Sequence, residues 1–184
     1  MTYDELSKYI FLQVTAAPPA LMTEVILDAI RDFLRESQAY VKEFTVDVVA
    51  GIAEYNLSDQ TDFEVEDIIS VTFQLSDLVK NQDYFFDRPD IVRLNWEPAE
   101  AVTDGLIIEA VLASREADVV DTVPDEVYDV YCKAIAGHAI RDLCLMPKRP
   151  WSDPNLAAYH DRIYKTGVTK SLNERRRLVN ASPG

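Results

Sequence analysis

Residues 44 to 113 of this 184-residue chain read as a run of short β-type segments, and the stretches on both sides of it read as helices. This nesting constrains the fold more than any other feature. Strands grouped between helices, rather than alternating with them, point to an α+β fold. The expected architecture is an α-helical bundle core, residues 1–43 and 122–184, with an inserted antiparallel β-rich module, residues 44–121, and a long C-terminal helix.

On the helical side, YDELSKYIFLQV (residues 3 to 14) carries apolar positions at helical spacing and stops where Pro18 and Pro19 break any continuing helix. The next stretch, ALMTEVILDAIRDFLRESQAYVKEF, puts Leu21, Val25, Ile26, Ala29, Ile30 and Phe33 on one stripe and predicts an amphipathic helix over residues 20–44. PDEVYDVYCKAIAGHAIRDLCL opens with Pro124 at a first-turn position and with acids suited to the positive end of a helix dipole. Its Ala134, Ala136, Gly137 and Ala139 are small enough for another helix to approach closely, which marks the centre of the helical core.

The β-type segments are FTVDVVAG, AEYNL, IISVTFQL, YFF, IVRLNW and GLIIEAVLAS, and they predict five or six antiparallel strands. Glu43 to Asp121 holds 19 acids against 4 bases. Blunting of strand edges accounts for many of these acids.

Between the last two helical stretches lies MPKRPWSDPNLAAYHDRIY, residues 146 to 164. Pro147, Pro150 and Pro154 each fix φ and restrict the residue before them, leaving the corner little freedom to lose on folding. Asp153 then Pro154 reads as N-cap and first helical residue, launching a final helix through Leu156, Ile163, Tyr164, Val168 and Leu172. Trp151 is placed to wedge into the helical core and set that helix's angle; an ordinary helix-turn-helix corner explains it equally well.

The net charge of −14 is unevenly spread. Up to residue 140 there are 28 acids and 9 bases, and from Arg141 onward 4 acids and 9 bases. A basic tail on an acidic body points to a negatively charged partner, while the body repels free nucleic acid. In SLNERRRLVNASPG, Arg175, Arg176 and Arg177 complement the negative end of a helix dipole, or form a docking peptide with Leu178 and Val179. Both readings stay open.

Chemistry leaves few traces. Five glycines, at positions 51, 105, 137, 167 and 184, allow no phosphate loop or dinucleotide fingerprint, and no G-x-S-x-G pattern occurs. His138 sits six residues from both Cys132 and Cys144, on helix faces about 120° apart, so the three cannot share a metal. His138 reads as a core histidine and His160 as a surface residue. DFEVED offers Asp62, Glu64, Glu66 and Asp67 to a calcium ion, but without the EF-hand glycine a solvated acidic face is the better reading. We expect no catalytic residue, cofactor or metal. Two cysteines make no disulfide framework, and neither a membrane span nor a signal peptide is legible. The chain is expected to work in the reducing compartment where it is made.

The order RDFLRESQAY, VVAGIAEYNL, a β-rich insert, VYDVYCKAIAGHAIRDLCLMP and KRPWSDPNLAAYHDRIY resembles the head-to-tail adaptor (connector, or head-completion) proteins of tailed bacteriophages. The resemblance spans residues 20 to 170, and AGIAEYNL and the Pro-Trp-Ser-Asp-Pro corner are its most specific elements. It implies a structural protein without catalytic activity, in a ring of roughly twelve copies beneath the portal. Its place would be the virion neck, after assembly in the host cytoplasm, with a tail or nozzle protein on the opposite side. By this resemblance Arg175, Arg176, Arg177, Leu178 and Val179 belong to the portal-gripping end, and Pro150, Trp151, Asp153 and Pro154 to the corner that sets the helix angle. DNA would pass through such a ring without specific binding, repelled by the acidic body. Two other readings use the same charge: an acidic DNA mimic that occupies a nucleic-acid-binding protein, and a carboxylate-dependent cell-wall hydrolase, which has no supporting motif.

Overall fold

A computed structural model describes residues 3–57, 63–87, 90–114 and 125–181. The protein is α+β, with helices α1 (Tyr3–Gln13), α2 (Pro19–Ser37), α3 (Asp125–Leu145) and α4 (Pro154–Ala181). Between α2 and α3 run strands β1 (Val41–Val48), β2 (Glu54–Asn56), β3 (Phe63–Phe73), β4 (Ser76–Asp77), β5 (Tyr84–Asp87), β6 (Ile91–Leu94) and β7 (Val102–Ser114). Two compact units result. One takes Met1–Ala39 and Glu116–Leu178, the other Tyr40–Arg115 with Val179–Gly184. Pro124 and Asp62 lie outside the described residues.

In the helical unit, α2 starts at Pro19 behind Pro18 and buries Val25, Ile26, Ala29, Ile30 and Phe33, while Leu21 is half-buried. It stops at Ser37, well short of the expected end at residue 44. Gln38 takes the left-handed conformation at φ 53 and its N–H donates to the Leu34 carbonyl at 3.0 Å. A glutamine there gives no sequence warning of a helix end. Val41 and Lys42 accordingly pair as strand with Val111 and Ala110.

The packing of α3 on α4 depends on two missing side chains. A Cβ at Gly137 would sit 2.9 Å from the His160 carbonyl oxygen, and one at Gly167 would sit 2.3 Å from the Ala134 Cβ. Around this contact Phe33 of α2 meets the rings of Tyr131 and Tyr164, at centroid distances of 5.3 and 6.2 Å. The Ser171 hydroxyl donates to the Ser37 carbonyl at 3.0 Å, satisfying an end of α2 in a buried position.

The strand unit holds a four-stranded sheet, β1-β7-β3-β4, and a three-stranded sheet, β2-β6-β5, both antiparallel. Among the described residues there are seven strands, against the five or six expected. The extra strand, β4, is only two residues long, and β3 reaches back to Phe63 through the acidic segment DFEVED. Register shifts between Val65 and Asp67 and between Ile68 and Ser70 each insert one residue into β3. Val65, Ile68 and Val71, three apart, therefore all reach the buried face, where a regular strand buries every second residue. Glu66 and Asp67 fall together between two buried positions, so the carboxylates of DFEVED are not a simple alternating row. Asp90, 2% exposed and at φ 62, turns its Oδ1 to accept the Val65 N–H at 2.8 Å, while its carbonyl accepts the Leu57 N–H at 2.8 Å. A buried carboxylate thus occupies a strand edge that would otherwise be open.

Candidate functional site

The corner before α4 is built from local hydrogen bonds. The Ser152 hydroxyl donates to the Met146 carbonyl and accepts the Arg149 N–H at 3.3 Å, while the Asp153 N–H donates to the Cys144 carbonyl at 3.1 Å. Asp153 Oδ1 then accepts the N–H groups of Asn155 and Leu156, at 2.9 and 3.0 Å, and Pro154 is the first residue of α4. Two donors that α4 cannot satisfy itself are thereby met. Pro150 is exposed. Trp151 is half-buried, with its indole Nε1 enclosed and the Arg149 guanidinium 5.9 Å from its ring. Asp153→Ala should cost about 1 kcal/mol and Asp153→Asn only a few tenths, because the amide oxygen still accepts. Thermal unfolding of the two variants side by side checks this, and equal losses would mean that the cap does not hold the helix start.

Along α4, Ala157, His160, Tyr164 and Ser171 are buried, at alternating three- and four-residue spacing with the half-buried Gly167 between the last two. His160 is 3% exposed, contrary to the surface position expected for it, and its carbonyl oxygen lies where α4 comes closest to Gly137 of α3. The 157-160-164-167-171 spacing was the available signal. Burial lowers the pKa of His160 from its ordinary value of 6.5. Its stabilising contribution is therefore present above pH 6.5, where folded and unfolded chains are both neutral at this residue, and is lost as pH falls below 6.5 and the unfolded chain takes up the proton first. The stability of the helical unit should fall between pH 6.5 and 5 less steeply in His160→Gln than in the wild type, as followed by denaturant titration at each pH. Parallel slopes would show that His160 is not the group responsible.

His138 is buried in the helical core, as expected, with Nε2 3.1 Å from Asp142 Oδ2 and 3.7 Å from Asp32 Oδ2 and its ring 4.4 Å from that of Tyr164. Burial opposes ionisation of Asp142, but hydrogen bonds from His138 and Arg141 outweigh it and hold the carboxyl below its usual range. Burial and the neighbouring Glu36 carboxylate push the Tyr164 phenol up. The arrangement is a polar layer inside a helix bundle, in which His138 Nε2 is paired with Asp142 while its Nδ1 is buried without a hydrogen-bond partner.

The expected docking residues lie at the far end of α4. Arg175 is half-buried, Arg176 and Arg177 are exposed, and the side chains of Leu178 and Val179 lie outside the description. Cys144 is buried and Cys132 half-buried, both as free thiols. Among the described residues no group of three or more His, Cys, Asp or Glu is placed to hold a metal ion, and no helix is long and apolar enough to cross a membrane. Of the acids in DFEVED, Asp67 accepts from the Lys80 ammonium at 2.7 Å. Sequence reasoning passed over a shallow concavity of about 410 Å³ on α4, lined by Lys165, Thr166, Thr169, Lys170 and Asn173. No protein-family model and no curated protein matches this chain.

Proposed function

We propose that this chain is a structural subunit of a head-to-tail adaptor of a tailed bacteriophage, a ring of roughly twelve copies between portal and tail that lines the DNA exit channel. It is not an enzyme on this reading and needs no cofactor. The observation that carries the reading is the construction of α4. A 28-residue helix, about 42 Å long, is clamped at its start by the Asp153 cap and buttressed by α2 and α3, yet ends in exposed Arg176 and Arg177. A helix so braced presents a basic end to an acidic rim with little conformational entropy left to lose. The acidic excess of the remaining chain suits a channel wall that must release DNA, since like charge at close range prevents adhesion. The reading places the protein in the virion neck after assembly in the host cytoplasm.

Native mass spectrometry of the protein with the portal protein encoded beside it tests this. One copy bound per portal subunit supports the adaptor. Absence of association at low salt, with the chain folded, refutes it and favours the acidic DNA-mimic reading, for which the next assay is competition with DNA for a DNA-binding enzyme.

A further inference from the structure

The concavity on α4 has an uncommon lining. The Thr166 hydroxyl donates back to the Arg162 carbonyl and the Thr169 hydroxyl to the Lys165 carbonyl, both at 2.8 Å. With their hydroxyls satisfied by their own helix, the two threonines offer methyl groups to the floor, while Lys165 and Lys170 stand at the rim. These lysines bridge Asp161 at 2.6 Å and Glu174 at 3.9 Å, exposed pairs of small worth that a better-placed carboxylate can replace. This open, shallow socket has a lining that suits an aliphatic side chain flanked by carboxylates.

Such a side chain exists in the same sequence. The β3–β4 hairpin turns through Gln74 and Leu75 at φ 49 and 67, a left-handed pair normally filled by Asn-Gly. Leu75 is 93% exposed, the most exposed large hydrophobic residue of those described. The position therefore carries both backbone strain and an unburied side chain, and neither helps the isolated chain fold. The Gln74 N–H donates to the Gly105 carbonyl at 3.0 Å, which sets the turn beside Asp104, whose N–H donates to Asp47 Oδ1 at 2.8 Å. Asp77 follows two residues after Leu75. Segments 45–49, 71–79 and 102–107, which form this end of the sheet, contain Asp47, Asp77 and Asp104 and no lysine or arginine.

We infer that Leu75 of one copy seats in the α4 socket of a second copy, over the Thr166 and Thr169 methyls, with Asp77 and Asp104 meeting Lys165 and Lys170. Knob and socket are different surfaces, so the contact is head-to-tail and each copy keeps one knob and one socket free to continue the series. It closes into a ring or runs on as a filament according to the angle between successive copies. The inference stands on these two surfaces alone and does not require the adaptor reading.

The test uses two full-length variants and sedimentation velocity in low salt at about 100 µM, a concentration at which contacts of micromolar strength are populated. Leu75→Asp removes the knob, and Lys165→Glu with Lys170→Glu reverses the socket; all three positions are exposed, and circular dichroism should show unchanged folds. The wild type is expected to form species larger than dimers. Each variant alone should associate at least about tenfold more weakly. Mixed, the two should form a one-to-one dimer and nothing larger, because the mixture holds one good knob and one good socket per pair. A monomeric wild type, variants that assemble like it, or a mixture that extends beyond dimers would each overturn the contact. If the one-to-one dimer forms while portal binding fails, the contact survives without the adaptor; if portal binding occurs while the variants assemble normally, the adaptor survives without the contact.

Discussion

Gly167→Ala should destabilise the helical unit by about 3 kcal/mol, a large loss for one methyl group on a helix where alanine is otherwise the better residue. The added Cβ would lie 2.3 Å from the Ala134 Cβ, and neither atom belongs to a flexible side chain, so α3 and α4 would have to separate. Separation also opens the packing around Phe33, whose Cε2 lies 3.7 Å from the same position. Chemical denaturation of a Trp96→Phe background, in which Trp151 alone reports on the helical unit, measures the effect. Returning the space with Ala134→Gly makes the diagnosis specific. That change alone should cost about 1 kcal/mol as a helix glycine, yet Gly167→Ala with Ala134→Gly should be more stable than Gly167→Ala. A loss below about 0.5 kcal/mol for Gly167→Ala would mean that the helices are not in close contact.

The second large effect concerns binding rather than folding. Arg176→Glu with Arg177→Glu should leave the free energy of unfolding within about 0.5 kcal/mol of the wild type, since both side chains are exposed. If these arginines pair with acids on a portal, as proposed above, the same variant should lose about a hundredfold in affinity for it at low salt. Wild-type attachment should weaken as salt rises, because pairs at a rim are screened over about 10 Å at 0.1 M. Equal affinity of variant and wild type would remove these arginines from the grip, and a salt-insensitive wild-type complex would shift it to apolar groups.

What could be read from the amino acids was whatever short-range chemistry decides. The breaks at Pro18 and Pro19, the periodicity of α2, the Asp153–Pro154 start of α4 and the small face of α3 are written in neighbouring residues, and the structure follows them. The end of α2 was not legible, because Gln38 adopts the left-handed conformation without being glycine or asparagine, and the helical period runs on into VKEF. Nor was the full extent of β3. Its two inserted residues replace alternation with a three-residue spacing, which imitates a helix more than a strand. His160 was misplaced because it was read singly, although it lies on the 157-160-164-167-171 stripe that α4 buries. The arginine run was legible as a candidate, whereas the concavity at Lys165 and Lys170 was not. Its two threonines turn their hydroxyls onto their own helix, a side-chain choice that composition does not record.

The corner at Trp151 has a mechanical consequence. Because α4 packs on α2 and α3 from Ala157 to Ser171, an error of angle at the corner is opposed along that length before it reaches the last turns. Four neighbouring restraints at Ser152 and Asp153, two ring closures at Pro150 and Pro154 and an enclosed indole all act at that fulcrum. Substitutions among residues 150 to 154 would therefore load the α3–α4 packing first, and would change the aim of the arginines only as far as that packing yields.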